Sequence, residues 1–230
     1  MKITWLGHSG FKIELADQIF LIDPWVYENP VFPEEKIDEA LSGATHCLLS
    51  HAHSDHAKDA IKIAEARGIT LVGIYDFMSY IEKTTSVQCI GFNRGGTISI
   101  GGLEITMVSA SHSSSFELDG KTYYGGSEAG FMIHGENRSI YFSGDTDIMA
   151  DMAWFNELHS PEIGLLSAGG HFTMDMKRAA FAAKKFFKFK TVIPCHFKTF
   201  PILEQSATDL IKQLPNVRVI EPEVLKTINL

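Results

Sequence analysis

Apolar and polar positions alternate along the chain in a way that predicts short strands followed by helices. Residues 45–50 place two leucines between polar neighbours, which is typical of a short buried strand. From Ala57 apolar residues recur at three- and four-residue spacing until Gly68 ends the run, so a helix is predicted over 57–66. Further apolar runs predict later strands, at 105–108, 140–143 and 191–195. This alternation indicates an α/β protein.

An internal repeat divides the chain into two similar halves. Gly-Phe-Lys-Ile at 10–13 and Gly-Phe-Met-Ile at 130–133 each precede a predicted strand that ends in aspartate. Leu-Leu-Ser then occurs in each copy, and a helix is predicted after it, the second over about 175–187. Two copies are typical of a duplicated domain, because a solenoid needs at least three.

The repeat predicts a four-layer αβ/βα sandwich, with two sheets packed face to face and the helices outside. We place one domain over 1–230, with halves of about 1–100 and 101–203 and a C-terminal helix and strand over 204–230. In this arrangement, loops from both halves meet along one edge of the molecule.

Three imidazoles and one carboxylate directly follow the predicted strand at 45–50, in the run His51-Ala52-His53-Ser54-Asp55-His56. Such crowding is unfavourable unless a cation lies among the side chains. Neutral imidazole nitrogens and carboxylates are ligands for Zn²⁺ and neighbouring divalent metals. The run also lies at the carboxyl end of a strand, where α/β proteins usually place their sites. We therefore predict a metal site here, with a polar solvated loop as the alternative.

A strand-end His-x-His-x-Asp-His resembles the signature of the metallo-β-lactamase-fold hydrolases, and the family's motifs match in order from Asp23 to His196. The runs at 7–11 and 169–174 are similar, more narrowly, to small prokaryotic metal-dependent hydrolases near the ascorbate-phosphate lactonases and the phospholipase D-like members. The resemblance implies two metal ions. The ligands of the first would be His51, His53 and His112, and those of the second Asp55, His56 and His196. The carboxylate that bridges them would be Asp145.

The resemblance also implies hydrolysis of a small ester, lactone or phosphodiester by a metal-bridging hydroxide. Such ions lower the pKa of bound water to about 7, and Asp55 is a candidate to accept the proton. Zinc is the expected metal, with manganese and iron as alternatives, because His/Asp sites accept all three. Two other functions stay open. One is a di-iron redox or oxygen-sensing protein on the same fold, which would have glutamate at the place of His53; the other is an RNA or nucleotide phosphodiesterase.

Four further residues are candidates for the site. His171 follows two glycines at the strand-to-helix turn of the second half, so it is a candidate general acid, with a turn-locking histidine as the alternative. Thr173 is expected to cap the next helix. His8 is expected to line the site as a support or a substrate contact, and Asp23 to support the metal loop. Lys198 is either a contact for an anionic substrate group or a solvated lysine.

Composition and charge restrict the partners. The formal net charge of −8 and the lack of a basic patch disfavour nucleic acid, so a small-molecule substrate is expected, and a homo-oligomer is left open. No run of eighteen apolar residues predicts a membrane span, and the strand-like N-terminus does not resemble a signal peptide. The three cysteines are odd in number and scattered, which favours a reducing, cytoplasmic location.

Overall fold

The computed structural model describes all residues from 1 to 230, in two seven-stranded sheets and one separate hairpin. In chain order the first sheet contains β1 (Lys2–Trp5), β2 (Phe11–Leu15), β3 (Gln18–Ile22), β4 (His46–Leu49), β5 (Thr70–Ile74), β6 (Cys89–Phe92) and the C-terminal β16 (Thr227–Asn229). The second contains β7 (Thr97–Ile100), β8 (Leu103–Ser109), β11 (Ala129–Gly135), β12 (Arg138–Phe142), β13 (Ile163–Ser167), β14 (Thr191–Cys195) and β15 (Arg218–Val219). The hairpin consists of β9 (Ser115–Leu118) and β10 (Lys121–Tyr124).

Six α-helices connect these strands. They are α1 (Ile37–Leu41), α2 (Ser54–Arg67), α3 (Tyr75–Thr84), α4 (Met152–His159), α5 (Met176–Phe186) and α6 (Thr208–Gln213). A 3₁₀ turn at Glu34–Lys36 precedes α1. No helix has both the length and the apolar character that a membrane crossing requires.

The two sheets have the same topology. The order is β16-β1-β2-β3-β4-β5-β6 in the first and β7-β8-β11-β12-β13-β14-β15 in the second. In both sheets the first three pairings are antiparallel and the last three are parallel. Helices α2 and α5 occupy equivalent positions, because each connects the fifth and sixth strands of its sheet in these orders. The predicted duplication is therefore present in the topology.

The limits of the halves differ from the predicted ones. Residues 97–100 form β7, which pairs with β8 in the second sheet, so the second half begins before residue 101. The segment after 203 is not simply an addition, because α6 and β15 correspond to α3 and β6 of the first half. Only β16 crosses over, to pair with β1.

The core is one cluster of 62 buried apolar residues, which includes residues of both sheets and of the helices that cover them. The rings of Phe11 and Phe142, one from each sheet, have centroids 6.3 Å apart. Every residue of β13 and β14 is buried, as expected for parallel strands that are covered on both faces. Helices α2 and α3 pack on the first sheet and α5 on the second. The mixed α/β fold with two sheets and helices agrees with the predicted class.

The helix that follows the histidine-rich run begins at Ser54, three residues earlier than predicted. Asp55 therefore lies in its first turn, where the helix dipole favours a negative charge. Gly68 ends the helix in a left-handed conformation with φ of 66°, as predicted. The cap of α5 was assigned to the wrong residue, because Asp175, not Thr173, accepts a hydrogen bond from the Arg178 amide.

Candidate metal centre

The seven predicted ligand residues lie together where loops of both sheets meet. Six of them, together with His8, form two groups in which the ligand atoms lie within 4.8 Å of one another, and the seventh, Asp145, lies between the groups. The first group contains His51, His53 and His112. The second contains His8, Asp55, His56 and His196. The strand-to-helix turn after β4 supplies four of these side chains, and the others follow β1, β8 and β14.

The first group brings three imidazoles to one point. His51 Nε2 lies 3.0 Å from His53 Nδ1, and the His112 ring centroid is 5.2 Å from each of the other two. Burial lowers the pKa of all three, most strongly that of His51. The rings are therefore neutral at physiological pH, and each has a nitrogen lone pair for a metal.

Asp145 lies between the two groups and is 2% exposed. Its Oδ2 is 3.0 Å from His196 Nε2, 3.4 Å from His56 Nε2 and 3.7 Å from His112 Nε2. Burial acts to raise the pKa of this carboxyl, but the imidazoles of His196 and His56 hold it well below its ordinary value. Asp145 is thus an ionised carboxylate that faces ligand atoms of both groups.

Besides His196 Nδ1, two buried polar atoms of the predicted ligands have no hydrogen-bond partner, His56 Nε2 and Asp145 Oδ1. Unpaired buried polar atoms cost free energy and are rare in folded proteins. Burial acts to lower the pKa of His56, but the carboxylates of Asp145, Asp55 and Asp23 raise it well above its ordinary value. The same negative potential attracts a metal cation, which would also satisfy both unpaired atoms. The residues present therefore fit divalent metal ions.

Asp23 and Ser50 form hydrogen bonds to Nδ1 of His56 and of His51. Asp23 is fully buried and accepts hydrogen bonds from the Ser50 amide at 2.8 Å, from Ser50 Oγ at 2.5 Å and from His56 Nδ1 at 2.8 Å. Ser50 Oγ in turn accepts from His51 Nδ1 at 2.9 Å. With Nδ1 of both rings held as a donor, Nε2 of His51 has a lone pair that faces the site, and Nε2 of His56 is the nitrogen that a metal ion would bind in place of a proton.

His8 is also fully buried and contacts Asp55. Burial and the nearby His196 lower the pKa of His8 to about 4, so the ring is neutral. Because the Asp55 carboxylate can only accept, His8 Nε2 donates to its Oδ2 at 3.0 Å, while Nδ1 accepts from the Thr199 hydroxyl at 2.8 Å. The hydrogen bond to Asp55 fits the predicted support role, and His8 has no exposed surface for the substrate contact that was the alternative.

The backbone around the site adopts conformations that are rare for residues with side chains. His8, Asp23 and His196 have φ values of 49°, 41° and 58°. Such conformations cost of order 1–3 kcal/mol each and are retained mainly at functional sites. The His196 amide donates to the His8 carbonyl at 2.8 Å, which joins the first and the last loop of the site. Gly169 packs so closely that a Cβ there would lie 1.8 Å from the His196 carbonyl oxygen.

A pocket of about 540 Å³ opens in front of the two groups. Trp25, Phe172 and Phe200 form its apolar walls, and His53, Asp55, His112, Asp145 and His196 form its floor. Lys58 lies at the rim, where its Nζ is 3.4 Å from Glu28 Oε2. This volume suits a small substrate that approaches the metal ligands from one side.

Two of the predicted site residues lie elsewhere. His171 is exposed and borders a separate shallow pocket, because the turn at Gly170 (φ of 76°) directs Phe172 and not His171 toward the metal groups. Lys198 also has a positive φ, 67°, and its Nζ pairs with Glu221 at 2.5 Å outside the pocket. Neither the general acid at 171 nor the anion contact at 198 is supported by this geometry.

Replacing His171 by alanine is therefore expected to leave kcat and metal content unchanged. The neighbouring Phe172→Ala is the matched comparison, because Phe172 is exposed to a similar extent but lines the metal pocket. It should lower kcat/KM several-fold by opening the pocket to water. Steady-state kinetics together with metal analysis of both variants test this. A loss of about tenfold or more in kcat for His171→Ala, with metals retained, would indicate general acid catalysis after all.

Sequence reasoning missed several residues that hold the site. Ser50 joins Asp23 to His51, and its position directly before the histidine run was the available signal. Thr199 holds His8, and Glu128 Oε1 accepts from the His112 amide at 3.2 Å. No local pattern singles out the last two, because their partners are distant in sequence.

Comparisons with known proteins agree with this geometry. A family model described as a β-lactamase superfamily domain matches residues 18–197. A UPF0173 metal-dependent hydrolase of Dinoroseobacter shibae is 59% identical over 230 residues, which cover 100% of both chains.

Solved structures show the same fold. Igni18, described as a novel metallo hydrolase from the hyperthermophilic archaeon Ignicoccus hospitalis, is 29% identical with a TM-score of 0.85, over 100% of this chain and 98% of that one. CmlA of Streptomyces venezuelae, described as a diiron beta-hydroxylase, is 14% identical with a TM-score of 0.73, over 100% of this chain and 54% of that one. At this identity the likeness to CmlA shows the fold alone.

Proposed function

The chain belongs to the β-lactamase superfamily, as a metal-dependent hydrolase, and from that membership we propose that it is a dinuclear enzyme that cleaves a small ester, lactone or phosphodiester. One observation carries the proposal. Asp145 is a buried carboxylate between two separate groups of potential ligands, and one of its oxygens has no other partner. A single tetrahedral ion uses four ligands, and the groups around Asp145 offer more than that.

The seven residues divide between two ions in this proposal. His51, His53 and His112 hold one ion, and Asp55, His56 and His196 hold the other, with Asp145 shared. Such ions supply a water molecule with a pKa near 7 and polarise the carbonyl or phosphoryl oxygen of the substrate. Zinc is the metal we expect, with manganese and iron as alternatives, since nitrogen and oxygen ligands accept all three.

The other residues keep the ligands in place. Asp23 and Ser50 fix the tautomers of His56 and His51, so that Nε2 of each can bind metal. Burial acts to raise the pKa of Asp55, but His56 and His8 hold it below its ordinary value. A carboxylate with a low pKa is a weak base at neutral pH, so we assign Asp55 to metal binding and not to proton transfer. The aromatic walls of the pocket exclude bulk water.

The test is metal analysis together with hydrolysis of ester, lactone and phosphodiester substrates. Protein purified without added metal should contain two ions per chain. A chelator should lower turnover by about a thousandfold or more, because metal stabilisation of developing charge is worth several kcal/mol at 1.36 kcal/mol per tenfold. Added Zn²⁺ should restore it, and ¹⁸O from labelled water should appear in the product acid. Full turnover by the metal-free protein, or full activity with one ion, would contradict the proposal.

A further inference from the structure

A second and larger cavity, of about 800 Å³, lies beside the metal pocket between α2, α3 and the β9–β10 hairpin. Eight of its 17 lining residues are apolar or aromatic. Ile61 comes from α2, Phe77 and Ile81 come from α3, and Phe116 comes from the hairpin. The part of the cavity that these four side chains form is therefore suited to a hydrocarbon group.

The two cavities are adjacent. They share His53, Ser54, Asp55 and Lys58 as lining residues. His53 belongs to the first group of potential metal ligands, and Asp55 belongs to the second. A molecule whose reacting group lies at the metals can thus extend directly into the apolar cavity.

The hairpin wall is attached to the metal-binding loop. The Ala52 amide, between two of the histidines, donates to Ser114 Oγ at 3.2 Å, and the Gly125 amide donates to the Ser114 carbonyl at 3.0 Å. A Cβ at Gly125 would lie 2.2 Å from the Ala52 Cβ, so the base of the hairpin packs against this loop. The Phe116 ring packs on Phe77 with centroids 5.2 Å apart. The apolar wall therefore has a defined position relative to the metal ligands.

The charges around both cavities disfavour an anionic substrate. Lys58 is the one lysine or arginine that lines either cavity, and it is already close to Glu28. Glu28 and Glu117 contribute carboxylates in addition to Asp55 and Asp145, whose charge the proposed metal ions would offset. Recognition of a phosphodiester usually uses arginine or lysine that is free to pair with the phosphate oxygens. A neutral carboxylic ester requires no such partner.

We infer that the substrates are neutral carboxylic esters whose acyl part is an unbranched hydrocarbon chain, bound in the second cavity with the ester carbonyl at the metal pocket. This inference rests on the proposed hydrolytic function and selects among its substrates. In the reaction the acyl C–O bond breaks and the oxygen of water forms the new bond to the acyl carbon. The released alkoxide takes a proton, which gives one carboxylic acid and one alcohol.

The first test is a series of p-nitrophenyl esters from acetyl to octanoyl with the metal-loaded enzyme. Burial of each added methylene should raise kcat/KM by about threefold, mostly through KM. Ile61→Trp should fill part of the cavity from the partly buried face of α2 and lower the octanoyl-to-acetyl ratio of kcat/KM at least tenfold. Ile211→Trp, on the exposed face of α6, is the matched control and should leave that ratio unchanged.

The second test measures binding without turnover. In calorimetric titrations, octanoate should bind the loaded enzyme at least tenfold more tightly than butanoate, with a more negative heat-capacity change that marks apolar burial. Ile61→Trp should remove this difference while metal content stays the same. Hydrolysis that does not depend on chain length, with equal binding of the two acids, would overturn the inference and leave the hydrolase proposal intact. Chain-dependent binding without hydrolysis of any ester would instead contradict the hydrolase proposal and the ester substrate, which rests on it.

Discussion

Asp145→Ala is expected to lose metal and activity together, with kcat/KM lower by about a thousandfold or more. The reason is the position of the carboxylate, which faces His56, His112 and His196 within 3.0 to 3.7 Å and has one oxygen without a partner. Without it, the first group has no carboxylate, and the second keeps only Asp55 to balance the charge of a divalent ion. Elemental analysis should find fewer than two ions per chain, and kinetics at saturating added metal should show no full recovery.

Asp147→Ala is the matched control, because it removes a carboxylate two residues away that is half exposed and pairs with Arg178. An exposed pair of this kind is worth about 0–1 kcal/mol, so metal content and kcat should stay as in the unaltered protein. Two tightly bound ions and full activity in Asp145→Ala would refute the dinuclear assignment.

Asp23→Ala is expected to weaken metal binding about 10- to 100-fold, although Asp23 is not placed as a ligand. Its carboxylate holds Ser50 and His56 by three hydrogen bonds in a site without solvent exposure. Without them the tautomer and orientation of His56 are no longer fixed. Breaking a buried charged network also costs about 3 kcal/mol or more of unfolding free energy. Competition with a coloured chelator measures the first effect and denaturant unfolding the second.

Asp38→Ala serves as the control for Asp23, because the Asp38 side chain is 95% exposed and pairs only with Arg67 on the surface. It should change unfolding free energy by less than about 1 kcal/mol. If Asp23→Ala bound metal with unaltered affinity, the support role of the Asp23–Ser50 pair would be untenable, whatever the change in stability.

Local sequence pattern was sufficient for much of the fold but not for the assembly of the site. The strand and helix around the histidine run could be predicted because apolar spacing and Gly68 act within a few residues. The placement of His112, Asp145 and His196 near that run came from the family resemblance. Their proximity is now visible in the geometry, while their role as metal ligands stays a prediction.

Other features depend on backbone conformation or on tertiary pairing, which residue spacing does not report. Lys198 follows the end of β14 and adopts a left-handed conformation although it is not glycine. Its Nζ pairs with Glu221 outside the metal pocket. His171 follows Gly170, which has a positive φ, and the His171 side chain lies exposed outside the metal pocket. The strand at 97–100 follows the first sheet in sequence but pairs in the second, and apolar alternation does not specify a pairing partner.

Because β16 pairs with β1, the first sheet can be completed only late in synthesis of the chain. Thr4 and Thr227 side chains lie 2.9 Å apart across β1 and β16, although 223 residues separate them along the chain. By comparison, Lys2 and Glu14 across β1 and β2 are 12 residues apart, so closure of the longer loop costs about 2.5 kcal/mol more. During synthesis on the ribosome, β1 therefore has no neighbour on its outer edge until residues 227–229 have emerged. During that interval the nascent chain has an open strand edge, the kind of surface on which chains pair wrongly with one another.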